Sequence, residues 1–542
     1  MSRPVSRPVS GTAKSSGERV NSRTKRWIWP VVIGLAAAAL GSGSPAGADA
    51  DRSGLPEAID TILGDSRMEG GTASVVVADA ASGDVLYQHR PTERLMPASN
   101  TKLPTSAAAM EILGPDYTFT TDVLTNGRRQ GSVLRGDLYL RGSGDPTALA
   151  KDYDKLAADL AASGVTRVDG RLLADDTRFD SSRLGRSWAA DDESAYYSAQ
   201  ISALSVAPDT DYDTGTVIVE VAPGAAAGDE PTVTVTPKTD YVDVDVRATT
   251  VAAGGSNDLT VEREHGTNTI VVSGTTPVGG SGATEWVSVW EPTGYAAAVF
   301  RDALAAHGVK VTGPTRLGRA TPAGARQLAS HASMPLKELL IPFMKLSNNM
   351  HAEILTKAMG RKVSGEGSWS AGLAAISGYA KGVGVDTGKL RQVDGSGLSR
   401  MNNFTAGQFS KLLLAVRAEP WYADWYKSLP VACGPDRFVG GTLRTRMCGT
   451  PAALNARGKT GSLTGASALS GYVTDAGGRE LVYSIVLNNY LASSVKPLED
   501  AIVVTLARST ADAAVLVKPG GTARAAERNG DLECAWRKPG EC

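Results

Sequence analysis

The feature that most constrains the fold is a β-rich middle third in a chain whose two ends mix helix and strand patterns. From residue 123 to residue 321 the sequence alternates short strand patterns with turn residues, and one helical segment at 153–162 interrupts them. The sequence therefore predicts an α/β (α+β) fold. Residues 49–122 and 322–515 would form one discontinuous domain, and residues 123–321 a β-rich insertion of one or two small domains.

The first 48 residues have the layout of a secretory signal. A basic leader precedes an apolar run of 14 residues at 27–40, and small residues continue to the predicted cleavage sites after Ala48 or Ala50. The run is short for a bilayer span, and an uncleaved anchor is the alternative interpretation. We therefore expect a secreted, extracytoplasmic, wall-associated protein, for which membrane association is allowed but not required. Residues 516–542 are predicted to be a polar tail.

The balance of charge gives no support for a nucleic-acid partner. The chain has 56 Lys and Arg residues against 57 Asp and Glu residues. Seven of these basic residues and one acidic residue lie in the first 48, so the remainder carries a formal net charge of −7. That remainder has no basic patch of the kind that neutralises phosphates. We therefore expect no nucleic acid among the partners.

All four cysteines lie in the last quarter of the chain. In an exported protein such cysteines usually form disulfides. The pairs close in sequence are Cys433–Cys448 and Cys534–Cys542, although four cysteines allow three connectivities. The cysteine spacings are not those of a zinc site, and the five histidines form no H-E-x-x-H motif. We expect no bound metal.

Ser99 and Lys102 stand at the predicted start of a helix, three residues apart and therefore on one helical face. A serine hydroxyl is a poor nucleophile until a neighbouring base takes its proton. A lysine serves as that base when burial or a nearby cation keeps it neutral. The spacing alone is weak evidence, because it recurs at Ser22–Lys25 and Ser493–Lys496.

Two further motifs follow Ser99 and Lys102 in a fixed order. Ser347 and Asn349 form an S-x-N motif in a helix-rich segment, and residues 459–461 form the chain's one K-T-G motif, at the end of a predicted strand. The order S-x-x-K, S-x-N, K-T-G is that of penicillin-binding proteins and serine β-lactamases. The three motifs together therefore indicate acyl transfer through a serine.

The resemblance extends to the segments RGSGDPT at 141–147, SNNMHAE at 347–353 and DGSGLS at 394–399. With these, the chain resembles the class C low-molecular-mass penicillin-binding proteins, the D-alanyl-D-alanine carboxypeptidase/endopeptidases, and most closely their actinobacterial members. The similarity spans roughly residues 55 to 510. It implies a β-lactamase/transpeptidase-like domain, an antiparallel sheet with helices, that carries a large insertion between S-x-x-K and S-x-N.

The resemblance implies a role for each motif residue. Ser99 would attack the carbonyl group between two D-alanines, and Lys102 would take its proton. Ser347 would relay a proton to the leaving amine. Asn349 would hold Lys102 and the substrate amide. Lys459 would add positive potential, which helps to keep Lys102 neutral and attracts the terminal carboxylate.

The K-T-G strand is expected to bind the substrate. The hydroxyl groups of Thr460 and Ser462 would contact the terminal carboxylate, and the backbone N–H groups of Ser99 and Ser462 would form the oxyanion hole. Gly461 would let the substrate backbone lie against the strand edge. In the insertion, Trp188 and Asp191 belong to an aromatic and acidic segment that we expect to line a pocket for an amino-bearing side chain of the stem peptide; an exposed acidic loop is the alternative.

Other polar residues near the motifs have simpler interpretations. Glu353 is expected to be solvated or capping, His351 packed or capping, and residues 394–397 a structural turn near the site. The favoured function is a serine DD-peptidase that acts on peptidoglycan stem peptides and is acylated by β-lactams, without a cofactor. A serine β-lactamase or esterase and a non-catalytic penicillin-binding or scaffold module are the alternatives.

Overall fold

The computed structural model describes residues 54–511, 513–514 and 516–520. The predicted signal at 1–48, most of the tail at 516–542 and the pair Cys534–Cys542 lie outside the described residues. Cys433 and Cys448, one of the two pairs close in sequence, form a disulfide. No helix in the described ranges is long and apolar enough to cross a membrane.

The described chain contains helices and strands from end to end. The helices are α1 Leu55–Leu63, α2 Lys102–Ile112, α3 Ala150–Ala162, α4 Pro292–Ala306, α5 Leu336–Lys345, α6 Asn349–Ser364, α7 Trp369–Gly382, α8 Ala406–Ala415, α9 Tyr422–Ser428 and α10 Lys496–Arg508. The strands are β1 Thr72–Asp79, β2 Val85–His89, β3 Thr120–Thr125, β4 Arg128–Gln130, β5 Val133–Arg135, β6 Leu138–Gly142, β7 Arg167–Asp169, β8 Leu172–Asp175, β9 Thr216–Ala222, β10 Thr232–Thr236, β11 Asp243–Val246, β12 Thr249–Val251, β13 Thr260–Arg263, β14 Thr269–Ser273, β15 Thr275–Pro277, β16 Ala283–Ser288, β17 Lys310–Val311, β18 Thr315–Leu317, β19 Arg326–Ala332, β20 Arg457–Leu463, β21 Ala466–Thr474 and β22 Glu480–Asn488.

An antiparallel sheet of five strands, in the order β2-β1-β22-β21-β20, joins the two ends of the chain. Strand β1 pairs with β22 along its whole length, from Thr72 opposite Asn488 to Asp79 opposite Leu481. Strand β20, which carries the K-T-G motif, is at one edge of this sheet. Residues far apart in sequence therefore meet in one layer.

Helices cover both faces of this sheet, which explains why its central strands β1, β22 and β21 are buried along nearly their whole length. Successive side chains of a strand point to opposite faces. In β22, Tyr483 and Ile485 pack in the same core cluster as α1 and α10. Val482 and Val486 instead pack in the cluster formed by α2 and α5 to α9. The S-x-x-K and S-x-N motifs lie on this second side, and the K-T-G motif lies on the edge strand β20.

The β-rich insertion has a hydrophobic core of its own. Its sheets are ordered β18-β8-β6-β3-β19, β17-β7-β5-β4, β10-β9-β16, β11-β14-β13 and β12-β15. The predicted fold class, an α+β domain with a β-rich insertion, is confirmed. Helix α4 was not predicted, because its alanine-rich sequence is buried over most of its circumference and lacks a clear apolar stripe. The predicted domain boundaries stay predictions.

Candidate active site

The Ser99 turn lies between the edge of the sheet and α2. Residues Ala98–Thr101 form a short 3₁₀ turn that leads directly into α2. This places the Lys102 amine 2.8 Å from the Ser99 hydroxyl. The side chains of Ser99 and Lys102 are both buried, and burial of a lysine favours its neutral form.

The Lys102 amine also contacts two carbonyl oxygens. One belongs to the Asn349 side chain, at 2.7 Å. The other is the backbone carbonyl of Ser396, at 2.9 Å. The amine is therefore held by three separate parts of the chain, which are the Ser99 turn, the S-x-N motif and the DGSG segment.

The S-x-N motif occupies a break between α5 and α6. Ser347 has a left-handed backbone conformation, with φ of 58°, so the helical pattern predicted across this segment divides there into two helices. The Asn348 side chain caps α6 by accepting a hydrogen bond from the His351 N–H. Asn349 opens α6, and its amide nitrogen donates to the carbonyl of Tyr197 at 2.8 Å. The insertion, which carries Tyr197, thus supports the motif.

The K-T-G strand reaches the S-x-N motif through Lys459. The buried Lys459 amine donates to the Ser347 hydroxyl and to the Thr460 carbonyl, both at 2.8 Å. The Thr460 hydroxyl lies 2.7 Å from the hydroxyl of Thr442. Thr442 belongs to the loop closed by Cys433 and Cys448, so this loop presents a hydroxyl group to the K-T-G strand.

Gly461 and Ser462 lie beside the Ser99 turn. A β-carbon at position 461 would be 2.6 Å from the Pro97 carbonyl oxygen and 3.0 Å from the Ser99 nitrogen. Only glycine allows this close approach of strand and turn. The hydroxyl of Ser462 is buried, and no group in the described part of the chain pairs with it. A buried polar group without a partner is rare in native proteins and is open to a ligand.

Two buried carboxylates organise the DGSG segment. Glu353 accepts hydrogen bonds from the N–H groups of Gly395 and Ser396, each at 2.8 Å. Asp394 accepts from the N–H group of Ser399 at 2.6 Å and from the Trp188 indole at 3.1 Å. Burial, together with the charge of Asp394, raises the pKa of Glu353 above its usual range. Of the two expected positions for Glu353, solvated or capping, the solvated one was wrong, because the side chain is buried and faces the backbone of this segment.

His351 is packed, as expected, and its backbone N–H is the group that bonds the Asn348 side chain. The imidazole is buried, and its Nε2 lies 2.9 Å from the carbonyl oxygen of Tyr212. Burial lowers the pKa of His351 to about 4. The side chain therefore supports the insertion loop that packs on α6.

Of the two predicted pocket residues in the insertion, Trp188 contacts the DGSG segment and Asp191 is exposed. The Trp188 indole bonds Asp394 and packs edge-on against Trp369, with ring centroids 6.2 Å apart. Asp191 lies in a short 3₁₀ turn, Ala190–Asp192, and its neighbour Asp192 accepts a hydrogen bond from the Tyr197 hydroxyl. The same Tyr197 contacts Asn349 through its carbonyl, so this acidic turn approaches the S-x-N motif.

A group of three aspartates is the arrangement in the described ranges that most resembles a metal site. Carboxylate oxygens of Asp209, Asp211 and Asp213 lie within 4.8 Å of one another. Asp211 pairs with Arg437 at 2.7 Å, and Asp213 accepts from the Asn348 amide at 2.9 Å. These contacts tie the insertion loop to the catalytic domain.

Sequence reasoning missed the groups that surround the motifs. Thr442 lies in a G-G-T segment between the paired cysteines, and only that disulfide could have drawn attention to its loop. The contacts made by Ser396 and Tyr197 to Lys102 and Asn349 use backbone carbonyls, which leave no signal in the sequence.

Comparisons with known proteins agree with this geometry. Residues 55–509 match the D-Ala-D-Ala carboxypeptidase 3 (S13) family. The chain is 46% identical over 517 residues to the D-alanyl-D-alanine carboxypeptidase of Actinomadura sp. strain R39, covering 93% of this chain and 94% of that protein. It is 28% identical over 450 residues to carboxypeptidase DacB of Mycolicibacterium smegmatis, covering 81% of this chain and 80% of that protein.

The fold also matches a solved structure. The crystal structure of penicillin binding protein 4 (dacB) from Haemophilus influenzae superposes with a TM-score of 0.71 at 24% sequence identity, covering 81% of this chain and 94% of that chain. The same protein, complexed with a β-lactam, gives a TM-score of 0.66. At this level of identity the match establishes the fold.

Proposed function

This chain belongs to the D-Ala-D-Ala carboxypeptidase 3 (S13) family, as its motifs predicted, and from that premise we propose that it is a serine-type peptidase of peptidoglycan stem peptides. Its nucleophile is Ser99. The observation that carries the proposal is the buried contact of 2.8 Å between the Ser99 hydroxyl and the Lys102 amine. This contact places a base within reach of the proton that it must take.

Acylation begins when the Ser99 oxygen attacks the carbonyl carbon of the penultimate D-alanine and its proton passes to Lys102. A carbon–oxygen bond forms, and negative charge develops on the carbonyl oxygen. The backbone N–H groups of Ser99 and Ser462 stabilise that oxygen, and each such donor is typically worth about 3 kcal/mol. The close approach of Gly461 to the Ser99 nitrogen supports this placement.

The intermediate then collapses and the terminal D-alanine leaves. The carbon–nitrogen bond breaks only if the departing amine receives a proton. The Ser347 hydroxyl, 2.8 Å from the Lys459 amine, relays a proton to the leaving nitrogen and receives in its place the proton that Lys102 took from Ser99. Lys102 is therefore neutral again when the acyl-enzyme has formed. Water then attacks the acyl-enzyme, and the shortened stem peptide is released. The acyl group passes from the peptide to serine and then to water, and the proposed proton transfers use side chains of the protein.

The terminal carboxylate is bound along β20. The positive charge of Lys459 attracts it, and the hydroxyl groups of Thr460 and Ser462 donate hydrogen bonds to it. Thr442 lies behind Thr460 and helps to orient its hydroxyl. The buried, unpaired hydroxyl of Ser462 supports this assignment, because a bound carboxylate would satisfy it.

We infer that Asp191, with Trp188 beside it, recognises an ammonium group on the side chain of the stem peptide. Asp191 is exposed in a turn that approaches the S-x-N motif, and a carboxylate there would attract a cation. We expect Asp191→Ala to lower kcat/KM for substrates with a free side-chain amine far more than for matched acetylated substrates. Equal losses for both substrates would contradict this role.

The same site would support two further reactions. Cleavage of D-alanyl cross-links, the endopeptidase reaction, needs the same acyl-enzyme with a larger leaving group. Acylation by β-lactams uses the same nucleophile, and the neighbour from Haemophilus influenzae was solved with a β-lactam. Since peptidoglycan lies outside the cell membrane, the protein would act extracytoplasmically.

The experiment that tests the proposal is intact-protein mass spectrometry before and after benzylpenicillin, with Ser99→Ala as the control, beside an assay for D-alanine release. We expect one stable adduct on the wild type, none on the variant, and D-alanine release by the wild type alone. Rapid destruction of the antibiotic without a lasting adduct would indicate a β-lactamase or esterase. No adduct, intact antibiotic and no D-alanine would indicate a binding or scaffold module.

A further inference from the structure

The geometry around Lys102 determines whether an N–H bond or the lone pair of its amine faces the Ser99 hydroxyl. A neutral amine has two N–H bonds and one lone pair. If the two N–H bonds point to the carbonyl oxygens of Asn349 and Ser396, at 2.7 and 2.9 Å, the lone pair points to the Ser99 hydroxyl, at 2.8 Å. That orientation lets the nitrogen take the proton of Ser99. The Ser396 carbonyl therefore helps to orient the Lys102 amine as a base.

Glu353 determines the position of that carbonyl. Its two carboxylate oxygens each accept one N–H, from Gly395 and from Ser396, at 2.8 Å. Glu353 follows Asn349 by four residues on α6, so the two side chains lie on the same face of the helix. One turn of α6 thus holds Lys102 twice, directly through the Asn349 amide and indirectly through the segment that Glu353 binds.

The Glu353 carboxylate is itself fixed from behind. The indole N–H of Trp369, on α7, donates to it at 2.7 Å. The Lys357 amine lies over the ring of Trp369, 3.8 Å from its centroid, in a cation–π contact. The same amine donates to Asp180 at 2.6 Å. From the other side, the hydroxyl of Thr105 on α2 donates to the Gly395 carbonyl at 2.8 Å. The segment therefore has little freedom to move.

We propose that Glu353 is a positioning residue for Lys102, acting through the N–H groups of Gly395 and Ser396, with Trp369 orienting its carboxylate. The proposal rests on the proposed function, in which Lys102 is the base. Glu353 makes no contact with Ser99, and its role is to aim the amine. The two oxygens of the Glu353 carboxyl group can accept from two backbone N–H groups and an indole at once, whereas a glutamine in its place has one acceptor oxygen.

The test measures acylation by benzylpenicillin as a limiting rate and an apparent dissociation constant. Glu353→Gln keeps the size of the side chain but replaces one acceptor oxygen with an NH₂ group, so it cannot accept from both backbone N–H groups. We expect the limiting rate to fall about 10- to 100-fold, as for misplaced catalytic groups, with the dissociation constant within about twofold of the wild type. Trp369→Phe should lower the limiting rate about 3- to 10-fold.

The double variant distinguishes a positioning role of Glu353 from a general loss of packing in this region. Because Trp369 acts through Glu353, Glu353→Gln with Trp369→Phe should be no slower than Glu353→Gln alone. Glu499→Gln is the matched control, since Glu499 is another fully buried carboxylate, bonded to Ser467 and Arg446 on a different side of the sheet. It should acylate at the wild-type rate.

Several results would overturn the proposal. A wild-type limiting rate in Glu353→Gln would do so. So would a larger dissociation constant that accounts for the whole loss of acylation. A third such result is a double variant whose rate falls by the product of the two single losses. If Glu353→Gln does not fold, Trp369→Phe decides alone, and an unchanged rate refutes the proposal. A wild-type protein that forms no adduct would instead refute the proposed function, and the role of Lys102 with it.

Discussion

The Asn349 side chain lies where a single added charge should have a large effect on the reaction. Its amide oxygen accepts from the Lys102 amine at 2.7 Å, and both side chains are buried. Asn349→Asp replaces that neutral oxygen with a carboxylate oxygen at nearly the same position. A carboxylate so close favours the ammonium form of the lysine, whereas only the neutral amine takes the proton of Ser99.

The size of the effect follows from this distance. Two unit charges 2.7 Å apart attract by about 6 kcal/mol at an effective dielectric constant of about 20. Rearrangement and hydration reduce this value, and a neighbouring opposite charge typically moves a titration by about one to three pH units. We therefore expect the acid limb of the pH profile of acylation to move upward by about one to three pH units. The loss at the acid end would be about 10- to 1000-fold.

The assay is the rate of benzylpenicillin acylation from about pH 5 to about pH 10, a range that spans the ordinary titration of most side chains. Asn126→Asp, at an exposed position in the insertion, is the control and should leave the profile unmoved. Recovery of Asn349→Asp at high pH distinguishes an electrostatic effect from a folding defect. A loss that is equal at every pH, or a profile that does not move, would refute the reasoning.

Two other predictions concern packing and pH. Gly461→Ala should slow acylation about tenfold or more, because its β-carbon would lie 2.6 Å from the Pro97 carbonyl oxygen and would displace β20 from Ser99; Gly378→Ala, whose β-carbon meets nothing within 4 Å, is the control. Because burial lowers the pKa of His351 to about 4, the unfolded chain binds that proton first, and the folded protein should lose up to about 3 kcal/mol of stability as the pH falls from about 6.5 to about 4. Urea unfolding of the wild type and His351→Gln at several pH values checks this, and parallel pH dependences would contradict it.

The meeting of the motif side chains was predictable because each motif is short and local. Ser99 and Lys102 meet through helical spacing. Lys459 was found through its K-T-G motif, because β20 (RGKTGSL) has no apolar pattern; the motif lies in the middle of this strand and not at its end, where it was predicted. The order of the motifs along the chain then indicated the family. The fold class followed from the same patterns, since both ends of the chain contribute strands to one sheet.

The supporting contacts were not predictable, for two physical reasons. The carbonyl groups of Ser396 and Tyr197 belong to the backbone, and every residue has such a group. Glu353 is a residue type that is almost never fully buried unless its charge is paired or hydrogen-bonded, so a solvated position was the reasonable expectation. Its burial depends on N–H groups from a segment more than 40 residues later in the chain, a relation that only the folded protein reveals.

The attachment of the S-x-N motif to the insertion limits how such enzymes can be recombined. Asn349 donates to the carbonyl of Tyr197, and Asn348 and His351 both bind the Tyr212 carbonyl. A chimera that exchanges the insertion between two relatives must therefore preserve the path of these two backbone stretches, even where every side chain on them differs. A deletion that joins β3 directly to β19 would remove the backbone carbonyl groups that support the S-x-N motif. The insertion therefore cannot be exchanged without regard to the S-x-N segment that it supports.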